Sequence, residues 1–222
     1  MFSVHDIEIL KIILGAVSAL AGIVGVIWTI VWAIRGPKLN LSLLDTRGDL
    51  TRFGDSPQAP KAYFYHLRIV NNRKWTATNV RVKVTKISRS SGLGLQRLPV
   101  CLIWATHPGP KLYLMDVLGL DEEACNLGYI SQEDCVFKLD AMDPARFAQS
   151  YKWPPNFEGF LSKGEKLWLE LVAVGENARS NVLCLEIAWD GEWQDNPEEM
   201  QKHLVIKTIT SRMAADYPGL RT

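Results

Sequence analysis

Four histidines, four cysteines and the carboxylate run Asp121-Glu122-Glu123 are the residues of this chain whose types could do chemistry. Histidine and cysteine hold transition metals when two or more ligands recur at short, regular spacing, and a histidine beside a carboxylate can serve as a general base. His5, His66, His107 and His203 are scattered, and none has a second ligand type at metal spacing. Cys101, Cys125, Cys135 and Cys184 form no CxxC pair, zinc pattern or disulfide framework, which reads as buried, reduced thiols. Gly92-Leu93-Gly94 lacks the third glycine and the following helix of a dinucleotide loop, and no GxSxG elbow, Walker loop or HExxH is present. The carboxylate run has no nucleophile or metal set beside it and reads as solvated charge. The expectation is therefore no cofactor, no metal and no catalytic residue.

Two other features point to binding. From Arg35 to Lys111 there are 14 Lys/Arg and 3 Asp/Glu, whereas from Leu112 to Lys202 there are 7 and 18. Arg35, Lys38, Arg68, Arg73, Lys74, Arg81 and Lys83 would form a basic face toward an anionic inner leaflet or an acidic protein partner, the last five on one proposed hairpin. Self-association, basic half to acidic half of a second copy, is a third option. Nucleic acid is poorly supported, because Trp75 is the only Trp among these cations and no known module is present. The second feature is tryptophan, with 8 in the chain. Trp153 and Trp193 fall in loop-like sequence and are candidate aromatic contacts, although packing of the loops onto the core is the plainer explanation.

The elements that must position these residues begin with a tail, residues 1–11, and an uncharged run, Ile12 to Ile34. Those 23 residues make about 34 Å of helix, enough to cross a hydrocarbon core. A signal peptide has a basic leader and a shorter apolar core; here the leader contains Asp6 and Glu8, and the apolar run continues well past Ala19-Leu20-Ala21. The positive-inside rule weighs Lys11 on one flank against Arg35, Lys38, Arg47 and Arg52 on the other. It predicts a short outer tail, an anchor over 12–34 and a cytoplasmic region over 35–222, in which the sequon Asn40-Leu41-Ser42 would be inert. Gly15, Ser18, Gly22, Gly25 and Thr29 recur at spacings of three and four, a stripe of small residues on which two spans could self-associate.

After the anchor the apolar pattern has period two. Tyr63, Tyr65, Leu67 and Ile69 alternate with His66 and Arg68, and Val80, Val82 and Val84 with Arg81 and Lys83. Leu167, Leu169, Leu171 and Ala173 share one face opposite Glu170, and Leu183, Leu185, Ile187 and Trp189 share one opposite Glu186. Such strands have one buried and one wet face and belong to antiparallel sheets. "LNLSLL" and "HLVIKTI" supply a first and a last strand; "NNRKWTAT", "SKGEK" and Asp190-Gly191 supply turns. Residues 88–162 read as a long irregular insertion, with a short helix opened by Asp143 and Pro144.

"YHLRIVNNRKWTATNVRVKVTKI" followed by "FLSKGEKLWLELV" resembles the immunoglobulin-like sandwich domains of bacterial membrane-anchored proteins. The resemblance implies a fold, a mainly β antiparallel sandwich behind one transmembrane helix, and carries no catalytic residues with it. The function expected is a single-pass interaction module that binds a protein partner or the inner leaflet and self-assembles as a homo-oligomer. The alternative is a membrane effector whose oligomerising spans permeate the bilayer under control of the soluble domain. An enzyme with an unrecognised site ranks third.

Overall fold

The computed structural model describes residues 4–52, 56, 58–92, 99–105, 113–142, 157 and 159–210. The chain divides into two units, Met1–Gly36 and Pro37–Thr222. His107, Leu93-Gly94, Trp153 and the short helix expected at Asp143 and Pro144 lie outside the described residues.

The first unit is one helix, α1 (Val4–Arg35). Its window Ile13–Val31 has a mean hydropathy of 2.2 and no buried residue, so it is long and apolar enough to span a membrane. Its Ile, Val and Gly content gives poor helix propensity in water, but in lipid the backbone has no partner other than itself. Gly36 and Pro37 stop it, since proline cannot continue the turn.

The second unit is mainly β. In chain order its elements are β1 (Leu39–Leu43), β2 (Asp49–Arg52), β3 (Lys61–Asn71), β4 (Ala77–Arg89), β5 (Val100–Leu102), β6 (Met115–Val117) and β7 (Glu122–Ser131). Then follow β8 (Phe137–Leu139), β9 (Ala141–Met142), β10 (Phe160–Leu161), β11 (Lys166–Val174), β12 (Arg179–Trp189), α2 (Pro197–His203) and β13 (Leu204–Ile209). They build two antiparallel sheets. One runs β1-β3-β7-β8-β10 with β2 also on β3; the other runs β13-β12-β11-β4-β5-β9 with β6 also on β4.

The alternating residues face inward as their period demands. Tyr63, Tyr65, Leu67, Ile69, Val80, Val82, Val84, Leu171, Leu185 and Ile187 are all fully buried, and the inward residues of both sheets belong to one hydrophobic core. Each such Leu or Ile contributes on the order of 2 kcal/mol by leaving water. The four strongly alternating runs are β3, β4, β11 and β12, and the weaker first and last ones are β1 and β13.

Three expectations need correction. β3 and β4 lie in different sheets, so of the two connections "NNRKWTAT" allows, hairpin or corner, it makes the corner, and the hairpin proposed to carry five cations does not form. Within residues 88–162, expected to be irregular, the described part supplies β5 to β10, and β7 pairs with β3 from Ala62↔Ser131 to Val70↔Glu122. A register shift at Tyr65/His66 and the small Gly128 break the alternation of β7 and hide it. Gly128 is small because a Cβ there would lie 2.4 Å from the Lys138 carbonyl oxygen. Finally, Glu186 is not on a wet face; it is 3% exposed. Trp168 on β11 and Lys207 on β13 are its cross-strand neighbours and cover it, Trp168 Nε1 donating to one carboxylate oxygen at 2.9 Å and Lys207 Nζ meeting the other at 2.8 Å.

The long strands give the domain two ends about 30 Å apart. The chain enters at Lys38, beside the corner that follows Asn71, and the β11–β12 turn lies at this same near end, with Asn177 Nδ2 donating to the Thr76 carbonyl. Lys61, Arg89, Lys166 and Trp189 mark the far end. There Arg89 Nη2 bonds Glu165 Oε2 at 2.6 Å, with its guanidinium stacked 4.3 Å over the Phe160 ring. Burial alone would raise the Glu165 carboxyl, but the Ser91 hydroxyl, the Ser162 N–H and Arg89 outweigh it and hold the group below its ordinary value of 4.5. A depressed carboxyl stabilises the fold at pH values above its unfolded pKa, and that contribution is lost as pH falls through the folded pKa. Glu165→Gln is thus expected to flatten the acid limb of stability below about pH 4.5, measured by urea unfolding across pH. An unchanged limb would assign the acid response to other carboxylates.

Candidate functional site

The residues singled out for chemistry or contact are dispersed by the fold. On α1, the stripe Gly15, Ser18, Gly22, Gly25 and Thr29 is open: a Cβ built on any of its glycines meets nothing within 4 Å. Thr29 Oγ1 donates back to the Gly25 carbonyl at 2.8 Å and so satisfies itself within the helix.

The basic set is divided between two sheets. Arg68 lies on the exposed face of β3 and pairs with Glu122 of β7. Arg81 and Lys83 lie on β4, facing away from the core in the other sheet. Lys38, Arg73 and Lys74 gather at the near end, where Asn72 N–H donates to the Lys38 carbonyl at 2.9 Å. No single face therefore carries the five cations assigned to the hairpin.

Trp193 packs on the sheet. Its ring lies 5.2 Å from Tyr63, tilted by 51°, and its Nε1 donates to Asp195, which also accepts from Lys61 at 2.6 Å. Lys61, then the Trp193 N–H, hold the Asp195 carboxyl below its usual range, while burial and then Asp195 raise the Tyr63 hydroxyl.

A cleft of about 310 Å³ is lined by Leu44, Asp45, Gly48, Asp49, Phe64 and His66. His66 Nε2 lies 3.2 Å from Asp49 Oδ2, and its Nδ1 is buried with no hydrogen-bond partner among the described residues. A histidine–carboxylate pair can move a proton, but among the described residues no hydroxyl or thiol lines this cleft to act as a nucleophile. A second, shallower cleft of about 510 Å³ is lined by Val136, Lys138, Phe160 and Ser162. Among the described residues no group of three His, Cys, Asp or Glu could hold a metal ion. The four cysteines form no disulfide, and burial pushes the Cys125 thiol well above its ordinary range, where it is a poor nucleophile.

The exposed apolar residues of the near end escaped the sequence reading. Leu118 and Leu120 sit between β6 and β7, and backbone bonds bring their loop to the Trp75 turn. The available signal was local: "VLGLDEE" places two leucines around a glycine in a turn, where apolar side chains have no strand face to fill.

Comparison with known proteins yields no matching family model and no similar curated protein. What the fold defines is a class: a mainly β protein of two antiparallel sheets preceded by an apolar helix of membrane-spanning length.

Proposed function

We propose that this chain is a single-pass membrane-anchored interaction module, whose second unit is an immunoglobulin-like β-sandwich held on the cytoplasmic side to bind a protein partner or the inner leaflet. The observation that carries the reading is α1. Its 19-residue window with a mean hydropathy of 2.2 is apolar all round and long enough to cross a hydrocarbon core. Two antiparallel sheets around one core, joined at a corner after β3, support the sandwich. Arg35, Lys38, Arg47 and Arg52 against a single Lys11 support the orientation with the N-terminus outside. The exposed charge of the sheets supports binding, since cationic and anionic faces steer association.

The test is topological. With alkaline phosphatase fused after Thr222 the enzyme should be inactive, whereas a fluorescent protein at the same place should glow. Strong phosphatase activity would reverse the orientation, and full-length chain in the soluble fraction would remove the anchor.

A further inference from the structure

Three apolar side chains at the near end serve no strand and no core. Trp75 is 53% exposed, Leu118 57% and Leu120 64%. They come from two segments far apart in sequence, yet the backbone locks the segments together. Leu120 N–H donates to the Arg73 carbonyl at 2.9 Å, and Asn71 Nδ2 donates to the Trp75 and Val117 carbonyls at 2.6 and 3.2 Å. Gly119 backs onto Lys74 so closely that a Cβ would lie 2.1 Å from its carbonyl oxygen. Leu120 is held at a φ of 62°, a left-handed conformation that leucine rarely adopts. The domain thus builds a fixed, strained tip whose product is an exposed cluster of Trp and Leu.

Lys38, Arg73 and Lys74 adjoin it. The same end also carries Asp116, Asp121, Glu122, Glu123 and Glu176, so its charge is mixed. Asp116 accepts from the Asn79 N–H, Asp121 from the Glu122 N–H, and Glu176 from Asn79 Nδ2.

We propose that this tip rests in the headgroup region of the bilayer that α1 spans, an inference that depends on α1 being an anchor. The first argument is the tether. Only Gly36 and Pro37 separate Arg35, the last residue of α1, from Lys38, and that stretch reaches about 11 Å at most. Lys38 is itself part of the tip's framework, its N–H donating to Asn71 Oδ1 at 3.3 Å and its carbonyl accepting from Asn72. A chain leaving the bilayer at Arg35 therefore keeps Lys38, and the framework it is bonded to, within about 11 Å of the headgroups. The second argument is chemistry. Indole rings favour the headgroup level and leucines the acyl boundary beneath it. The tip carries both.

The full chain in lipid nanodiscs, with photoreactive benzoylphenylalanine placed singly at positions 23, 75, 120, 50 and 205, tests this. Ile23 reports the anchor; Leu50 and Val205 are exposed on β2 and β13, away from the tip. Expected are lipid adducts at 23, 75 and 120, and several-fold fewer at 50 and 205. Adducts at 23 with only background at 75 and 120 would overturn the tip and leave the anchor standing. No lipid adduct at 23 would remove the anchor and the tip together. In native membranes, protein adducts at 75 and 120 in place of lipid would assign the tip to a protein partner and overturn the lipid contact.

Discussion

Ile187→Asp is expected to abolish the cooperative unfolding transition of the β domain. Ile187 is fully buried on β12, opposite Leu167 on one side and Ile206 on the other, and all three belong to the shared core. Losing the apolar side chain costs about 2–4 kcal/mol by itself. An Asp in its place is enclosed in the apolar core, and it must either ionise there or take up a proton, at a further cost of several kcal/mol. Together these approach the whole stability of an ordinary domain, about 5–15 kcal/mol. Leu169→Asp on β11, 1% exposed, should behave in the same way. Val205→Asp, on β13 but 38% exposed, should retain a cooperative transition. The measurement is thermal unfolding of the intact chain in detergent, followed by tryptophan fluorescence, because Trp189 in the same strand is buried and reports the core. A sharp transition in Ile187→Asp would mean that the inward face of β12 has been misassigned.

The contrast between β12 and β7 shows what one sequence reveals about this fold. In β3, β4, β11 and β12 the apolar residues are large, their spacing is two, and their partners are equally regular, so the pattern and the burial agree. β7 carries Gly128 where its neighbours need space, and its register against β3 shifts at Tyr65/His66, so a fully paired central strand reads as loop. α2 was legible and passed over: Asn196 caps it by accepting from the Glu198 and Glu199 N–H groups, and Pro197 occupies its first turn. Glu186 failed for another reason. Alternation assigns a face, but whether that face is wet depends on side chains from adjacent strands, here Trp168 and Lys207, and their registers are a property of the assembled sheet. The basic face dissolved on the same ground. Arg68 and Arg81 are close in sequence and belong to different sheets, because the corner between them cannot be told from a hairpin by composition. Of the near-end tip only Trp75 was in view, since its partners Leu118 and Leu120 arrive through long-range pairing.

Asn71 marks the place where local pattern and long-range structure meet, and its replacement carries the second large effect. After Tyr63, Tyr65, Leu67 and Ile69 the next inward position on β3 is Asn71, a polar residue in an apolar series and fully buried. Its side chain uses both ends. Nδ2 donates to the Trp75 and Val117 carbonyls at 2.6 and 3.2 Å, and Oδ1 accepts the N–H groups of Lys38 and Arg73, each at 3.3 Å. One amide thus ties the entering chain, the corner after β3 and the end of β6. Asn71→Leu keeps the branched shape and the number of heavy atoms and removes all four bonds. Water can reach some of the released groups, because only the bond to Val117 is fully buried. The net cost is therefore about 3 kcal/mol, less than four complete desolvation penalties. For a domain of this size that lowers the melting temperature by about 6–12 °C. Asn72→Leu is the matched control: the same residue type one position on, exposed, and linked to Lys38 through its backbone N–H alone, which the substitution leaves in place. It should change the melting temperature little. If the two variants melt alike, the near end is held by backbone pairing, and the exposed Trp75, Leu118 and Leu120 keep their positions without the buried amide. If only Asn71→Leu falls, the shape of the tip is written in one polar residue that the strand pattern itself marks as out of place.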